Sequence, residues 1–200
     1  MLTRVSNIEV YRSWCNWYPR FEGEEEPSVE DIVAKITTDA PSEAMQAGTA
    51  FHAAIENAGY GEHETFEALG YTFYLPDAEI ALPITREMRA FKAYGSLSVT
   101  GKVDCLDGKI VEDHKTTSKI DLVRYLEGCQ WRFYLDIFDA DVFQWFIFKL
   151  KELEPKVYSV EAPQVLRAYR YPEIHQDCER LAAEYLAFAT QMNLPDAKVD

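Results

Sequence analysis

The stretch Val99-Thr-Gly-Lys-Val-Asp-Cys-Leu-Asp-Gly-Lys-Ile-Val-Glu-Asp-His-Lys-Thr-Thr117 decides how this chain is read. It has the look of two short strands joined by a tight turn, with charged residues where a half-buried strand pair rarely carries them. Asp107-Gly108 is the strongest short hairpin signal a sequence offers, because a type I′ turn needs positive φ at both central residues. With those two residues in the turn, Leu106 faces Lys109, Asp104 lies opposite Val111, Lys102 opposite Asp113, and Thr100 opposite Lys115. Opposed residues share a face, so Asp104, Asp113 and Lys115 project to one side. Val99, Val103, Cys105 and Ile110 project to the other, with Glu112 and His114 as polar exceptions. Asp104 and Asp113 become diagonal neighbours, their Cβ atoms roughly 7–8 Å apart. Two readings stand side by side: carboxylates reaching one cation with Lys115 beside it, or the solvated acidic face of a surface hairpin.

Working outward, a chain of 200 residues suits a single domain, 1–200, with a sizeable core. Apolar content of 48% and aromatic content of 14% place it among globular chains. Thirty-four acidic residues against 20 basic ones give a net charge of −14, which argues against DNA binding by bulk positive charge. A nucleic-acid enzyme remains compatible, since it needs carboxylates and only a local basic groove. No basic leader precedes an apolar run, and the stretch 142–148, broken by Gln144, is far too short for a bilayer. Cys15, Cys105, Cys129 and Cys178 are scattered without zinc-type spacing, which suggests reduced thiols and a cytoplasmic location.

Residues 1–41 read as an N-terminal helical segment. Ser6, Ile8, Tyr11 and Trp14 suggest a short helix closing on Pro19, and Ser28 opens a second with capping-box character. Residues 42–160 form the candidate core. The clearest helix runs from Ser42 to about Gly59, stacking Gly48, His52 and Glu56 on one stripe. An interior glycine costs about 1 kcal/mol in a helix, so Gly48 implies close approach of another backbone. Two or three strands follow between Phe66 and Gly95, then the hairpin, then an amphipathic helix over 121–138 carrying Gln130 and Tyr134 four apart. Strands 142–150 and 156–160 pair, 165–171 adds a third, and Pro172 opens a last helix from Glu173 to about Met192. Residues 161–200 thus supply a C-terminal strand and helix. The order predicts an α/β (α+β) fold with a central mixed sheet flanked by helices.

Gly48-x-x-x-His52, then Asp104, then Asp113-His114-Lys115, then Gln130-x-x-x-Tyr134 resembles the motif order of the PD-(D/E)XK nuclease superfamily, and within it the RecB-like branch. Ser6, Tyr11, Cys15 and Arg20-Phe21 look like that branch's N-terminal part. The resemblance covers roughly residues 42 to 134 and implies a restriction-endonuclease-like core. Phosphodiester hydrolysis needs an activated water and neutralisation of charge building on the phosphoryl oxygens, which a hard divalent cation on carboxylates supplies. Asp104 and Asp113 are the expected ligands, and the carbonyl of His114, which lies between two site residues in the chain, could add a backbone oxygen. Lys115 orients the water, or acts as base if its pKa is depressed. The resemblance brings His52 to the same ion, and the set suits Mg²⁺ or Mn²⁺, the nitrogen tilting it toward Mn²⁺.

By the resemblance, Gln130 and Tyr134 contact DNA or brace the site; as ordinary residues, Tyr134 packs and Gln130 is exposed. Thr116 and Thr117 bond phosphate or cap the strand. Lys102 reaches the site or pairs with Asp113, Glu56 is a solvated glutamate or a further carboxylate, and Glu112 is on the wrong face to be a ligand. Some RecB-like members hold an iron–sulfur cluster on one N-terminal and three C-terminal cysteines. Only Cys15 and Cys178 match those places, so no cluster is expected. The reading is a metal-dependent deoxyribonuclease, an exonuclease of recombination or repair, of phage type. Its partners are DNA and a separate recombinase, annealing protein or helicase, and the ring-shaped trimers of phage relatives leave room for an oligomer. The alternative is a catalytically silent or accessory acidic member acting by contact with a recombinase, helicase or CRISPR integrase. A DNA mimic has only the net charge in its favour.

Overall fold

A computed structural model describes residues 1–19, 22–38, 43–57, 64–75 and 85–198. Arg20, Phe21, Ser42 at the expected helix start and the helix end near Gly59 lie outside them. The chain opens with β1 (Leu2–Arg4), α1 (Val5–Cys15), α2 (Val29–Thr37) and α3 (Glu43–Asn57). Then come β2 (Thr65–Ala68), β3 (Tyr71–Tyr74), β4 (Thr85–Arg86), β5 (Arg89–Tyr94), β6 (Leu97–Lys102), β7 (Cys105–Asp107) and β8 (Ile110–Thr117). It finishes with α4 (Leu122–Glu127), α5 (Gln130–Ile137), β9 (Val142–Glu154), β10 (Val157–Val160), β11 (Gln164–Tyr169) and α6 (Ile174–Gln191). This is the expected mixed α/β architecture. One sheet has the order β1-β6-β5, and the other runs β2-β3-β10-β9-β8-β7-β4, with β11 also on β9.

The central strand is β9, parallel to β8 and antiparallel to β10 and β11. Its Phe143, Trp145, Ile147 and Phe148 are buried, a near-continuous apolar run of the kind a strand covered on both faces requires. Ser28 closes the expected capping box, with Asp31 as the reciprocal partner. Two helix expectations needed revision. The first helix starts at Val5 after an extended Arg4, leaving Ser6 inside it. The helix expected over 121–138 is two, because the chain turns extended at Gly128 and restarts from Cys129.

The larger revision concerns the opening stretch. It is not one hairpin. Residues 97–102 pair antiparallel with β5 and parallel with β1, so Lys102 faces Arg89 and not Asp113. The same register continues past the strand end: Val103 N–H donates to the Met88 carbonyl and Glu87 N–H to the Asp104 carbonyl. It then resumes as Arg86 opposite Cys105. Asp104 therefore sits at a bend where the chain leaves the small sheet for the large one. Only 105–112 is a hairpin with β8, and there Asp107 faces Ile110 and Leu106 faces Val111. The turn residues are Gly108 and Lys109, with Gly108 at φ 56°, as a glycine in the first central position of a II′ turn requires. The register thus differs by two positions from the expected one. A two-residue slip preserves alternation, so Asp113 and Lys115 stay on the face that was inferred.

β8 is buried on both sides. Toward α3 it turns His114 and Thr116, whose register partners on β9 are Phe146 and Phe148. A Cβ on Gly48 would meet Thr116 Oγ1 at 2.9 Å, so the close approach is to a side chain and not to backbone. Toward α5 it turns Val111, Asp113 and Lys115, over a cluster that includes Trp131, Tyr134, Leu135, Phe143 and Trp145.

Candidate active site

Asp113 is buried, its side chain 7% exposed. Its Oδ1 accepts from Lys115 Nζ at 2.9 Å and from Gln130 Nε2 at 3.2 Å. Its Oδ2 is buried and has no hydrogen-bond partner. Leaving a buried charged acceptor unsatisfied is costly, and burial duly raises the Asp113 pKa to about 6, with Lys115 opposing and Asp104 assisting. Burial also works against charge on Lys115, but Asp113 and Asp104 outweigh it and hold its pKa above the usual lysine value.

The second half of the site is centred on Asp104. Its Oδ2 accepts the His114 N–H at 2.7 Å and lies 3.4 Å from His52 Nδ1. The carboxylate here takes the place of a strand acceptor that the bend removed, which keeps the β8 donor satisfied. Burial alone would raise the Asp104 pKa; the His52 contact, Lys115 and His114 reverse this and bring it to about 2. Burial lowers the His52 pKa less than Asp104 raises it, so the net shift is upward.

The predicted residues thus gather as two neighbouring pairs, His52–Asp104 and Asp113–Lys115. Gln130 and Tyr134 come to the same place from α5. Tyr134 packs on Gly101, where an added Cβ would lie 2.5 Å from its ring, and its hydroxyl donates to the Lys102 carbonyl at 2.9 Å. Lys102 itself pairs with Glu87. Thr116 faces Gly48 on the α3 side of β8, the face opposite to Asp113 and Lys115. His114 contributes backbone only, since its ring is turned toward α3, against Phe146 and Phe148. The donor atoms of His52, Asp104 and Asp113 do not all fall within 4.8 Å of one another, whereas among the described residues those of Cys105, Glu112 and His114 do.

Two contributors escaped the sequence reading. The Glu9 carboxylate accepts both the Cys129 and Gln130 N–H groups, at 2.6 and 2.8 Å. It therefore caps α5 and fixes where Gln130 starts. Nothing local signals a cap that comes from 120 residues away. The other is a cavity lined by Arg4, Ser6, Arg89, Lys102 and Lys198, with Tyr134 at its edge. On a chain of net charge −14 it is a local concentration of positive charge.

The fit to a divalent cation rests on the donor set and the orphan oxygen. Two carboxylates, one of them with the partnerless Oδ2 of Asp113, and an imidazole are hard or borderline donors of the kind Mg²⁺ or Mn²⁺ takes.

Comparison with known proteins adds to this geometry. No protein-family profile and no curated protein sequence matches the chain. Solved structures do. A phage-related exonuclease from Haemophilus somnus 129PT aligns over 96% of this chain and 96% of its own, at TM-score 0.53 and 12% identity. A candidate exonuclease from Eubacterium rectale aligns over 96% and 81%, at TM-score 0.54 and 12% identity. What is shared is the fold. A further solved structure matches only in part, this chain spanning 51% of its length at TM-score 0.39. Among the described residues no helix is long and apolar enough to cross a membrane.

Proposed function

We propose that this protein is a divalent-metal-dependent deoxyribonuclease of the PD-(D/E)XK type, RecB-like branch, acting as an exonuclease on DNA. The observation that carries the proposal is the buried Asp113 carboxylate, whose Oδ1 is fixed by Lys115 and Gln130 while Oδ2 has no partner. A fully structural aspartate would have both oxygens satisfied. Asp104 and His52, with the backbone of His114, complete the donor set beside it. Exonuclease fold neighbours, one of them phage-related, support the same reading.

When bound, Mg²⁺ or Mn²⁺ supplies charge neutralisation at the phosphate and favours ionisation of the attacking water. The chain's own residues do the rest. Asp113 and Asp104 would hold the ion and are themselves held, Asp113 by Gln130 and Asp104 by the His114 N–H. Lys115 presents a fixed positive charge to the phosphoryl oxygens as negative charge accumulates on them. Tyr134 acts as a brace, because its hydroxyl is committed to the Lys102 carbonyl. The basic cavity beside it offers a path for backbone phosphates. Activity would then fall steeply with salt although the net charge is negative.

The test is degradation of end-labelled linear duplex and single-stranded DNA with Mg²⁺, Mn²⁺ or chelator, comparing wild type with Asp113→Asn and Lys115→Ala. Metal-dependent loss of label from the ends, abolished in both variants, is the expected outcome. A wild-type protein that cleaves no DNA with either metal would overturn the proposal.

A further inference from the structure

On the reverse face of β8, three metal-ligating side chains converge that the nuclease reading does not use. Cys105 and Glu112 are register partners across the β7–β8 hairpin. His114 follows Glu112 on the same face, as strand alternation dictates. The Cys105 sulfur, a Glu112 oxygen and a His114 ring nitrogen all lie within 4.8 Å of one another.

Their surroundings do not explain them. Cys105 and His114 are 1% and 2% exposed, and Glu112 is half-buried. Among the described residues, no hydrogen bond or ion pair engages the His114 ring, the Glu112 carboxylate or the Cys105 sulfur. Arg86, opposite Cys105 in the ladder, donates instead to the Ile55 carbonyl at 3.0 Å. An imidazole, a carboxylate and a thiol thus lie together with no hydrogen bond that accounts for the arrangement.

We infer that Cys105, Glu112 and His114 form a second metal site, selective for a borderline-soft ion of the Zn²⁺ class. A thiolate with an imidazole and a carboxylate suits Zn²⁺ and not Mg²⁺, which takes oxygen ligands almost entirely. Tetrahedral zinc with bonds of about 2.0–2.3 Å places its donors roughly 3.3–3.8 Å apart, so small side-chain rotations from the present separations are enough. Three protein ligands leave the fourth position for a solvent molecule. The site's place gives it a consequence. Cys105 directly follows Asp104, and Glu112 and His114 flank Asp113, so an ion here clamps the two segments that carry Asp104 and Asp113.

The site does not depend on the nuclease proposal, and its test reads a different quantity. Chelator-stripped full-length protein is titrated with Zn²⁺ by calorimetry and with Co²⁺ by absorbance. Thiolate-to-cobalt charge transfer reports a cysteine ligand, and its loss in Cys105→Ser assigns that ligand to Cys105 and not to the exposed Cys15. Wild type and Asp113→Asn are expected to bind with the charge-transfer band present. Cys105→Ser is expected to lose the band, and Glu112→Gln, which keeps the shape, to weaken Zn²⁺ binding by at least about tenfold. Zn²⁺ should also raise the melting temperature of wild type and of Asp113→Asn alike. No charge-transfer band in wild type, or unchanged Zn²⁺ affinity in both Cys105→Ser and Glu112→Gln, would overturn the inference. So would loss of the band in folded Asp113→Asn, which would make the ion depend on Asp113 and the site not a separate one.

Discussion

Two aspartates, Asp113 and Asp136, are buried to nearly the same depth, and their surroundings are opposite. Asp136, its side chain 1% exposed, accepts from Tyr94 Oη at 2.8 Å and lies 2.9 Å from both Lys92 Nζ and His175 Nδ1. Arg170 stands 3.5 Å from its other oxygen. Burial would raise its pKa, but His175, Lys92 and Tyr94 together bring it below the usual carboxylate value. Asp113 has one lysine and one amide on a single oxygen, nothing on the other, and a pKa raised to about 6. A carboxylate that locks β5, α5 and α6 together is fully partnered. Asp113 is left short of partners, and its own burial disfavours its charged form. On the proposed function, that difference separates a structural buried charge from a functional one better than depth does.

The comparison is broken most directly at Asp113. Asp113→Asn is expected to lower metal-dependent DNA cleavage by on the order of 10³-fold while raising metal-free stability at neutral pH by about 1–3 kcal/mol, read by urea denaturation with chelator present. A variant that is both inactive and less stable would remove the distinction. Asp136→Asn should do the reverse, losing about 2–4 kcal/mol, since Lys92 and Arg170 lose their counter-charge but remain partly solvated. Its effect on cleavage should track only the fraction folded.

The two groups also titrate with opposite sign. The folded-state pKa of Asp113 lies above that of the unfolded chain, so its penalty is absent at low pH, grows between about pH 4 and pH 6, and is constant above. The stability advantage of Asp113→Asn should follow that window. The pKa of Asp136 is depressed, so its contribution is fully present above about pH 4 and is lost as pH falls through the lower folded value. Melting curves of the two variants against wild type should therefore converge from opposite sides on acidification.

Smaller effects test the scaffold around the site. Gly101→Ala puts a Cβ against the Tyr134 ring and should cost about 1–3 kcal/mol by overpacking, with reduced cleavage in the folded fraction. Gly48→Ala should be nearly neutral. The helical gain of up to about 1 kcal/mol is offset by the contact with Thr116 Oγ1 at 2.9 Å, a side chain that can turn away. A large loss there would mean that Thr116 is held for a reason the present geometry does not show.

Much of this was legible in the residues. The order of elements, the β9–β10 pairing, the capping box at Ser28 and the face shared by Asp113 and Lys115 all follow from periodicity and turn chemistry. The turn was misplaced by one residue because Asp-Gly and Gly-Lys both offer a glycine with positive φ, and sequence alone does not say which central position it takes. The helix over 121–138 read as continuous because Gly128 alone is a weak breaker. Its role emerges only with Glu9, whose carboxylate lies against it and caps the restarted helix.

The hairpin stretch divides along the same line. Alternation is local, a property of successive Cα–Cβ directions, so the sequence by itself put Asp113 and Lys115 on one side of β8 and Glu112 and His114 on the other. It could not say that residues 97–104 belong to a different sheet, because strand pairing is a choice among distant partners of similar apolar pattern. That choice was made by β5 and β1, which leave Asp104 at a bend where its side chain, not its backbone, meets β8. Tertiary structure alone decided that His52 reaches Asp104, that Asp113 keeps one oxygen without a partner, and that Cys105 closes on Glu112 and His114 behind it.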